Sequence, residues 1–391
     1  MNELLSKLPD LKQDINLTKD TLNKLYETLQ NENVHVNSDN ISSEFTCTPI
    51  TFLGKYPQNL SIPSTTFIDP KIYNFLGNSS GFYQQFHVFI AKRRFTIHIY
   101  LPSGNSNSRD DNVVEFFQDC IRKIYLWLRF ITPHIRNRCS LKTTFFLLFT
   151  HFKKNLPEHN EPFTFKHVNS ALTTSCIPES SVYIFRYEEW FKVLIHESFH
   201  CFGLDFSHYD NSEVEAKIVK TFKVVNNNGV RVYEAYCEIW ADVLNIVFVS
   251  FSNTKDKRCF MKVFENLLNK ELSFTAFQCS KILNHIGISY DDLIDIKCKT
   301  IKYKETANII SYYFLKFIIF LNLRKFDSWC KKHHTRLFRF EKKNMEKFVD
   351  FIIQHSNTSP LRTSLQRMKL FHKRAKLSPF AVNTMQMTIV K

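Results

Sequence analysis

The chain has 391 residues, of which 44% are hydrophobic and 23% charged, so it is long and apolar enough to fold around a sizeable core. This composition excludes an intrinsically disordered chain and a small disulfide-rich protein. The chain carries 52 Lys and Arg against 37 Asp and Glu, and the net charge of +15 favours anionic partners such as nucleic acid. It has only 7 Gly and no GxGxxG or P-loop motif, so a nucleotide-fingerprint enzyme is not predicted.

The first half of the chain mixes helical and strand patterns. Apolar residues spaced by threes, fours and sevens in residues 1–44 predict one or two amphipathic helices. Alternating apolar residues at 86–99 predict a β-hairpin around a basic turn, and 113–131 has a helical pattern. The short aromatic run at 143–150 predicts a buried strand. Two further strands are predicted near 163–174 and 182–185.

The second half is predicted to be mainly helical. Helical patterns cover 186–203, with Gly203 as a C-terminal stop, and 233–250. Others follow at 260–270, 276–286, 304–323 and 337–353. The most hydrophobic run, 309–323, is shorter than the roughly 20 apolar residues that span a bilayer, and Lys316 lies in its middle. We therefore expect a buried helix and no transmembrane segment.

The lack of a secretory signal in the first 20 residues and the spacing of the cysteines predict an intracellular protein. The first 20 residues lack the uninterrupted apolar region of a secretory signal. The 10 Cys are scattered without a CxxC pair, so we expect reduced thiols and no zinc ribbon or finger.

The segment that carries chemistry is His196-Glu197-Ser198-Phe199-His200, an HExxH motif inside a predicted helix. Histidines four residues apart lie on one face of a helix, so both imidazoles can reach one Zn²⁺. The Glu that follows the first His can act as general base toward a water at that ion. The motif therefore predicts a hydrolytic metal site.

Such a site needs a third protein ligand, and a second helix offers three acids. Glu234, Glu238 and Asp242 recur every four residues among apolar and aromatic side chains. Buried acids are costly unless they bind a metal or make charge-assisted hydrogen bonds, whereas a solvated acidic face is the ordinary alternative. The HExxH motif upstream favours metal binding.

HExxH followed by a downstream ExxxD or ExxxE helix resembles the gluzincin, or thermolysin-like, group of zinc metallopeptidases. The resemblance implies that His196, His200 and Glu238 bind Zn²⁺ and that Glu197 is the general base. It also implies that Asp242 hydrogen-bonds a ligand histidine from behind.

The ligand register stays open, because Glu234-Ala-Tyr-Cys-Glu238 also fits ExxxE and makes Glu234 the alternative third ligand. The strings at 188–207 and 233–245 are also similar to uncharacterised putative metallopeptidases of large nucleocytoplasmic DNA viruses. The abundance of Phe, Asn, Lys and Ile fits the A+T-rich genome of such a source. A viral source would place the protein in the host cytoplasm and in the virion.

A metzincin alternative shares the HExxHxxG start at 196–203, but its third ligand would fall on Phe206, which cannot bind zinc. Asp205 and His208 flank that position.

In a gluzincin-like fold an edge strand beside the metal binds the substrate backbone, and 163–174 is the candidate for this strand. Side chains that could stabilise the oxyanion are Tyr209, Tyr233, His208 and Arg231.

We therefore predict an α+β fold whose zincin-like core combines a small mixed or antiparallel sheet with the HExxH helix and a ligand helix. The predicted segments are a helical N-terminus (1–44), the metallopeptidase domain (45–252), a helical domain (253–356) and a basic C-terminal tail (357–391). The predicted function is zinc-dependent hydrolysis of peptide bonds in a protein or peptide substrate. The alternative is a structural or virion-associated protein that keeps the fold and the zinc without turnover and contacts nucleic acid or virion components through its basic C-terminal region.

Overall fold

The computed structural model describes the chain except for residues 1, 12–14, 37–43, 61, 104–111, 159–160, 227–228 and 295–302. The fold is mixed α+β, as predicted. It divides into two compact units. We call 23–153 with 169–204 the sheet unit, and 1–22 with 154–168 and 205–391 the helical unit. This division differs from the predicted segments, because the boundary at Leu204 lies inside the predicted domain 45–252 and separates the HExxH motif from the acids at 234–242.

The sheet unit contains a mixed sheet of seven described strands. These are β1 (Phe45–Cys47), β2 (Thr51–Leu53), β3 (Gly81–Ile90), β4 (Arg93–Pro102), β5 (Lys142–Thr150), β6 (Ala171–Thr173) and β7 (Glu179–Arg186). Their order is β1-β3-β4-β5-β7-β6, with β2 also paired to β3. The helices of this unit are α3 (Pro70–Gly77), α4 (Val113–Ile131) and α6 (Trp190–Cys201), and α2 (Lys19–Val36) begins in the helical unit.

The predicted hairpin is confirmed: β3 and β4 pair in antiparallel register, with Phe86 opposite Ile97. The next two neighbours, β4–β5 and β5–β7, are parallel, so the sheet is mixed. The predicted strand at 163–174 is wrong for most of its length. A short helix, α5 (Phe165–Val168), replaces it because the Thr164 N–H donates to His167 Nδ1 at 3.0 Å and closes a turn. Only β6 remains extended, as an antiparallel edge strand on β7.

The HExxH helix α6 packs on one face of this sheet and beside α4. The Trp127 indole N–H of α4 donates to the Ser198 hydroxyl at 3.1 Å, and Ser198 in turn donates to the Leu194 carbonyl at 2.6 Å. Both residues are fully buried. Because each polar group has a partner inside the core, the pair fixes α6 against α4 without leaving an unsatisfied donor.

Gly203 ends α6, as predicted, in the left-handed region with φ +64°. Its N–H donates to the His200 carbonyl at 3.1 Å, and the Leu204 N–H donates to the Phe199 carbonyl at 2.9 Å. Such bonds satisfy carbonyls that the helix end would otherwise leave unpaired. The same turn packs on a disulfide between Cys139 and Cys176. The expectation that all cysteines are reduced is therefore wrong for this pair, whereas the seven other described cysteines are free thiols.

Replacing Gly203 with alanine will lower the free energy of unfolding by about 2 to 4 kcal/mol, because a side chain there is strained and has no space. An added Cβ would lie 2.7 Å from Cys139 Sγ and 2.9 Å from Cys176 Sγ. Denaturant unfolding measures the loss. The matched control is Gly77→Ala at an exposed helix end, where nothing lies within 4 Å and no loss is expected. Equal stability of the two variants would contradict the prediction.

The described part of the helical unit is mostly helix. Its elements are α1 (Asn2–Lys7), α5, α7 (Ser212–Phe222), α8 (Val232–Ser252), α9 (Lys257–Ile286), α10 (Tyr290–Ile294), a π-helix (Ile310–Leu315), α11 (Lys316–Leu321), α12 (Leu323–His333), α13 (Met345–Ser356), α14 (Ser359–Arg374) and α15 (Pro379–Asn383). Two short strands, β8 (Val224–Asn226) and β9 (Tyr303–Glu305), pair in parallel. The long α9 packs against both α8 and α14.

Two apolar helices form the centre of this unit. The predicted buried helix at 309–323 is confirmed as the π-helix and α11, both largely buried. Among the described residues, α8 is the one helix long and apolar enough to cross a membrane, and 83% of its apolar window is buried within the fold. Burial of that kind is what a core helix shows, so the length and hydropathy of α8 are weak evidence for a span.

The predicted basic tail at 357–391 is wrong as a description of this segment. Leu361, Leu365 and Met368 have helical spacing and are buried, so α14 packs against α9 and turns its cations outward. After α15, residues 384–390 are all buried. Side chains hold the backbone of this last segment in place, as when the Tyr313 hydroxyl donates to the Met385 carbonyl at 2.6 Å.

Candidate metal centre

The two motif histidines lie in the sheet unit, side by side on α6. His196 and His200 are 6% and 7% exposed, and their Nε2 atoms are 3.1 Å apart. Two nitrogen ligands of a tetrahedral Zn²⁺, with Zn–N bonds of about 2.0 to 2.1 Å, lie about 3.3 Å apart. The pair therefore fits two positions in the coordination shell of one such ion with almost no movement.

Glu197 differs from the two histidines in its exposure. It is partly exposed, whereas the other eleven residues of α6 are all buried. A carboxylate that takes a proton from water has to be reached by that water, and a partly exposed position allows this. The helix thus presents two buried nitrogen ligands and one accessible carboxylate, the three groups that the motif predicts.

The backbone near His200 is held by neighbours outside α6. The Cys176 N–H donates to the His200 carbonyl at 3.2 Å, in addition to the bond from Gly203. Because Cys176 is also joined to Cys139, the disulfide lies directly beside the second histidine. The sequence contained no signal for this pairing, since the two cysteines are 37 residues apart and carry no recognisable motif.

The three acids of the predicted ligand helix lie on α8, in the helical unit. Glu234, Glu238 and Asp242 are 5%, 2% and 0% exposed. A solvated acidic face is therefore excluded, and the prediction that these acids are buried is confirmed. Burial of three carboxylates needs compensation by cations or hydrogen bonds.

Lys316 supplies part of that compensation, and sequence reasoning missed its role. Its ammonium lies 2.8 Å from Asp242 Oδ2 and 3.7 Å from Glu238 Oε2, and the residue is 1% exposed. Burial alone would lower the pKa of Lys316, but the carboxylates of Asp242, Glu238 and Glu271 raise it above its ordinary value, so the lysine stays charged. A lysine in the middle of the most hydrophobic run was the available signal, because such a residue needs acidic partners.

The metzincin alternative finds no support at Phe206. This ring is fully buried and packs on Phe340, with ring centroids 4.3 Å apart. Asp205, also fully buried, accepts a hydrogen bond from the Ser207 hydroxyl at 3.0 Å and lies 3.6 Å from the Cys237 thiol. His208 is half-buried and packs against Tyr209, with ring centroids 4.0 Å apart.

The four oxyanion candidates all belong to the helical unit. Arg231 and Tyr233 lie at the start of α8, on either side of Val232 and next to Glu234. Burial would lower the pKa of Arg231, but the neighbouring Tyr233 and Glu234 raise it, so the guanidinium stays charged. Tyr209 and His208 lie together in the loop before α7, where the Lys342 ammonium is 5.9 Å from the Tyr209 ring. Two of the four candidates thus share a helix terminus with an acid of the predicted site.

No protein-family model matches the chain, and no curated protein or solved structure matches it either. The resemblance to gluzincins therefore depends on the HExxH motif and the acid-bearing helix alone.

Proposed function

We propose that the chain is a zinc-dependent metallopeptidase that hydrolyses peptide bonds in a protein or peptide substrate. In this proposal His196 and His200 bind Zn²⁺, and a carboxylate of α8 is the third ligand. The observation that carries it is the pair of buried imidazoles with Nε2 atoms 3.1 Å apart, with the partly exposed Glu197 between them along α6. Two neutral imidazoles and a carboxylate are a donor set typical of a catalytic zinc site.

Bound zinc would supply a Lewis acid and lower the pKa of a water molecule toward neutrality. Glu197 would accept the proton of that water and deliver it to the leaving amine. Asp242 would hydrogen-bond one of the two ligand histidines and keep it in one orientation. The predicted third ligand is Glu238, with Glu234 as the alternative.

Metal content tests the proposal directly. We expect purified protein to contain about one zinc per chain by elemental analysis, and His200→Ala to contain less than about a tenth of that. His87→Ala, at an exposed histidine of the same unit, is the matched control and should keep the metal. Absence of zinc from the unchanged protein, after purification without chelators, would overturn the proposal.

The same preparation separates the enzyme from the structural alternative. Hydrolysis of a casein or mixed-peptide substrate that stops on chelation and returns with zinc supports the peptidase. A full complement of zinc without turnover supports a protein that keeps the metal for stability.

Contact with nucleic acid or with a virion stays a separate proposal. The exposed cations of α14 support it: Arg362, Arg367, Lys369, Lys373 and Arg374.

A further inference from the structure

We propose that Lys316 is a positioning residue that reserves Glu238 and Asp242 for a buried ion-pair network and so makes Glu234 the carboxylate ligand of the metal. This inference rests on the proposed function and decides between the two ligand registers. It uses contacts within the helical unit only.

The ammonium of Lys316 is buried among oxygen atoms. Lys316 is 1% exposed and starts α11, directly after the π-helix. Its ammonium is 2.8 Å from Asp242 Oδ2, 3.7 Å from Glu238 Oε2 and 2.8 Å from the Met387 carbonyl. Three oxygens from two different segments thus surround its three N–H donors.

The charge of Lys316 affects what Glu238 can bind. A divalent ion bound by the Glu238 carboxylate would lie within about 6 Å of the Lys316 ammonium, since a Zn–O bond adds only about 2 Å. Both charges are positive and buried, so the repulsion between them is screened less than it would be in bulk water. Lys316 therefore disfavours Glu238 as a metal ligand, whereas it stabilises Glu238 as an ionised partner.

Glu234 occupies a different position along α8. It lies one turn, about 6 Å, from Glu238 and about 12 Å from Asp242, on the side away from Lys316. Glu234 is 5% exposed and lies at the start of α8, beside two of the oxyanion candidates. Of the two possible ligands, Glu234 is the one that the lysine leaves to the metal.

Lys316 cannot easily move away from Glu238. Lys316 donates to the Met387 carbonyl of the C-terminal segment 384–390. Glu271, which is fully buried on α9, holds the same segment. Glu271 Oε2 accepts hydrogen bonds from the Thr388 hydroxyl at 2.7 Å and from the Ile389 N–H at 3.0 Å. The lysine is thus held between α8 and a C-terminal segment that is itself anchored, so its contact with Glu238 is a fixed feature of the unit.

Paired glutamine variants of the full chain test the inference. We expect Glu234→Gln to weaken zinc binding at least about 100-fold and to change the visible absorption of the Co²⁺-substituted protein, since a ligand is lost. Glu238→Gln should weaken zinc binding by less than about 10-fold and keep the Co²⁺ spectrum. The opposite order overturns the inference while the proposed function stands. Absence of zinc from the unchanged protein overturns both, so the two failures are distinguishable.

Variants of Lys316 test its positioning role separately from folding. We expect Lys316→Met to shift the Co²⁺ absorption, because Glu238 loses its partner and competes for the ion, and Lys316→Arg to restore the spectrum. If Lys316→Met does not fold, Lys316→Met combined with Asp242→Asn removes one charge of each sign and takes its place. A folded methionine variant with an unchanged spectrum and unchanged zinc affinity would show a merely structural role and overturn the inference.

Discussion

Glu197→Gln will reduce zinc-dependent peptide hydrolysis by at least about 100-fold, while zinc content and melting temperature stay close to those of the unchanged protein. The amide has the shape of the carboxylate but cannot accept a proton from water. Glu197 is partly exposed between two buried histidines, so the exchange changes chemistry at the accessible position and leaves the core packing of α6 intact.

Three measurements on one preparation check this expectation: turnover, elemental zinc and thermal unfolding. Glu115→Gln, at an exposed acid on α4 of the same unit, is the matched control and should retain full turnover. Unchanged turnover in the Glu197 variant would remove this residue from the mechanism. Simultaneous loss of zinc would mean that Glu197 holds the metal or the helix, and the general-base role would then be wrong.

The elements that the sequence predicts well are those set by local periodicity. The hairpin around 91–92 follows from alternating residues on both of its strands, and α6 follows from its apolar spacing and the stop at Gly203. Placement of both histidines on one helix face needs nothing beyond a spacing of four residues. The short α5 is missed because the prediction depends on periodicity, and one turn closed by His167 has no periodic pattern.

What the sequence does not reveal depends on contacts between distant residues. Lys316 lies 74 positions after Asp242, and only the folded helical unit brings its ammonium to that carboxylate. The boundary at Leu204 is hidden for a similar reason, because a compact unit is defined by contacts and not by composition. In 357–391 the cations dominate the composition, although Leu361, Leu365 and Met368 already had the spacing of a buried helix face.

Glu271→Gln will make the stability of the protein less dependent on pH, and we expect the variant to be the more stable one at pH 9. Burial, with a smaller contribution from the Asp242 carboxylate, raises the pKa of Glu271 from its ordinary 4.5 to about 8. The folded protein therefore binds this proton more tightly than the unfolded chain does. Between these two values the free energy of unfolding falls as the pH rises, because ionisation is easier in the unfolded chain.

One pKa unit corresponds to about 1.4 kcal/mol, so the shift of Glu271 sets an upper limit of about 5 kcal/mol on this loss. Part of this loss already falls below pH 5.5, so we expect about 2 to 4 kcal/mol between pH 5.5 and pH 9. The glutamine carbonyl can still accept the bonds from Thr388 and Ile389, since both groups donate to a single oxygen of Glu271. Its uncharged amide has no ionisation penalty at either pH.

Urea unfolding of both proteins at pH 5.5 and pH 9 measures the effect, and groups common to the two proteins cancel in the comparison. Glu265→Gln, at an exposed acid of the same helix α9, is the matched control and should follow the unchanged protein within about 0.5 kcal/mol. If Glu271→Gln loses as much stability between the two pH values as the unchanged protein does, Glu271 is ionised throughout. The buried network around Lys316 would then carry one more negative charge than its burial favours, and a second cation would have to lie beside it.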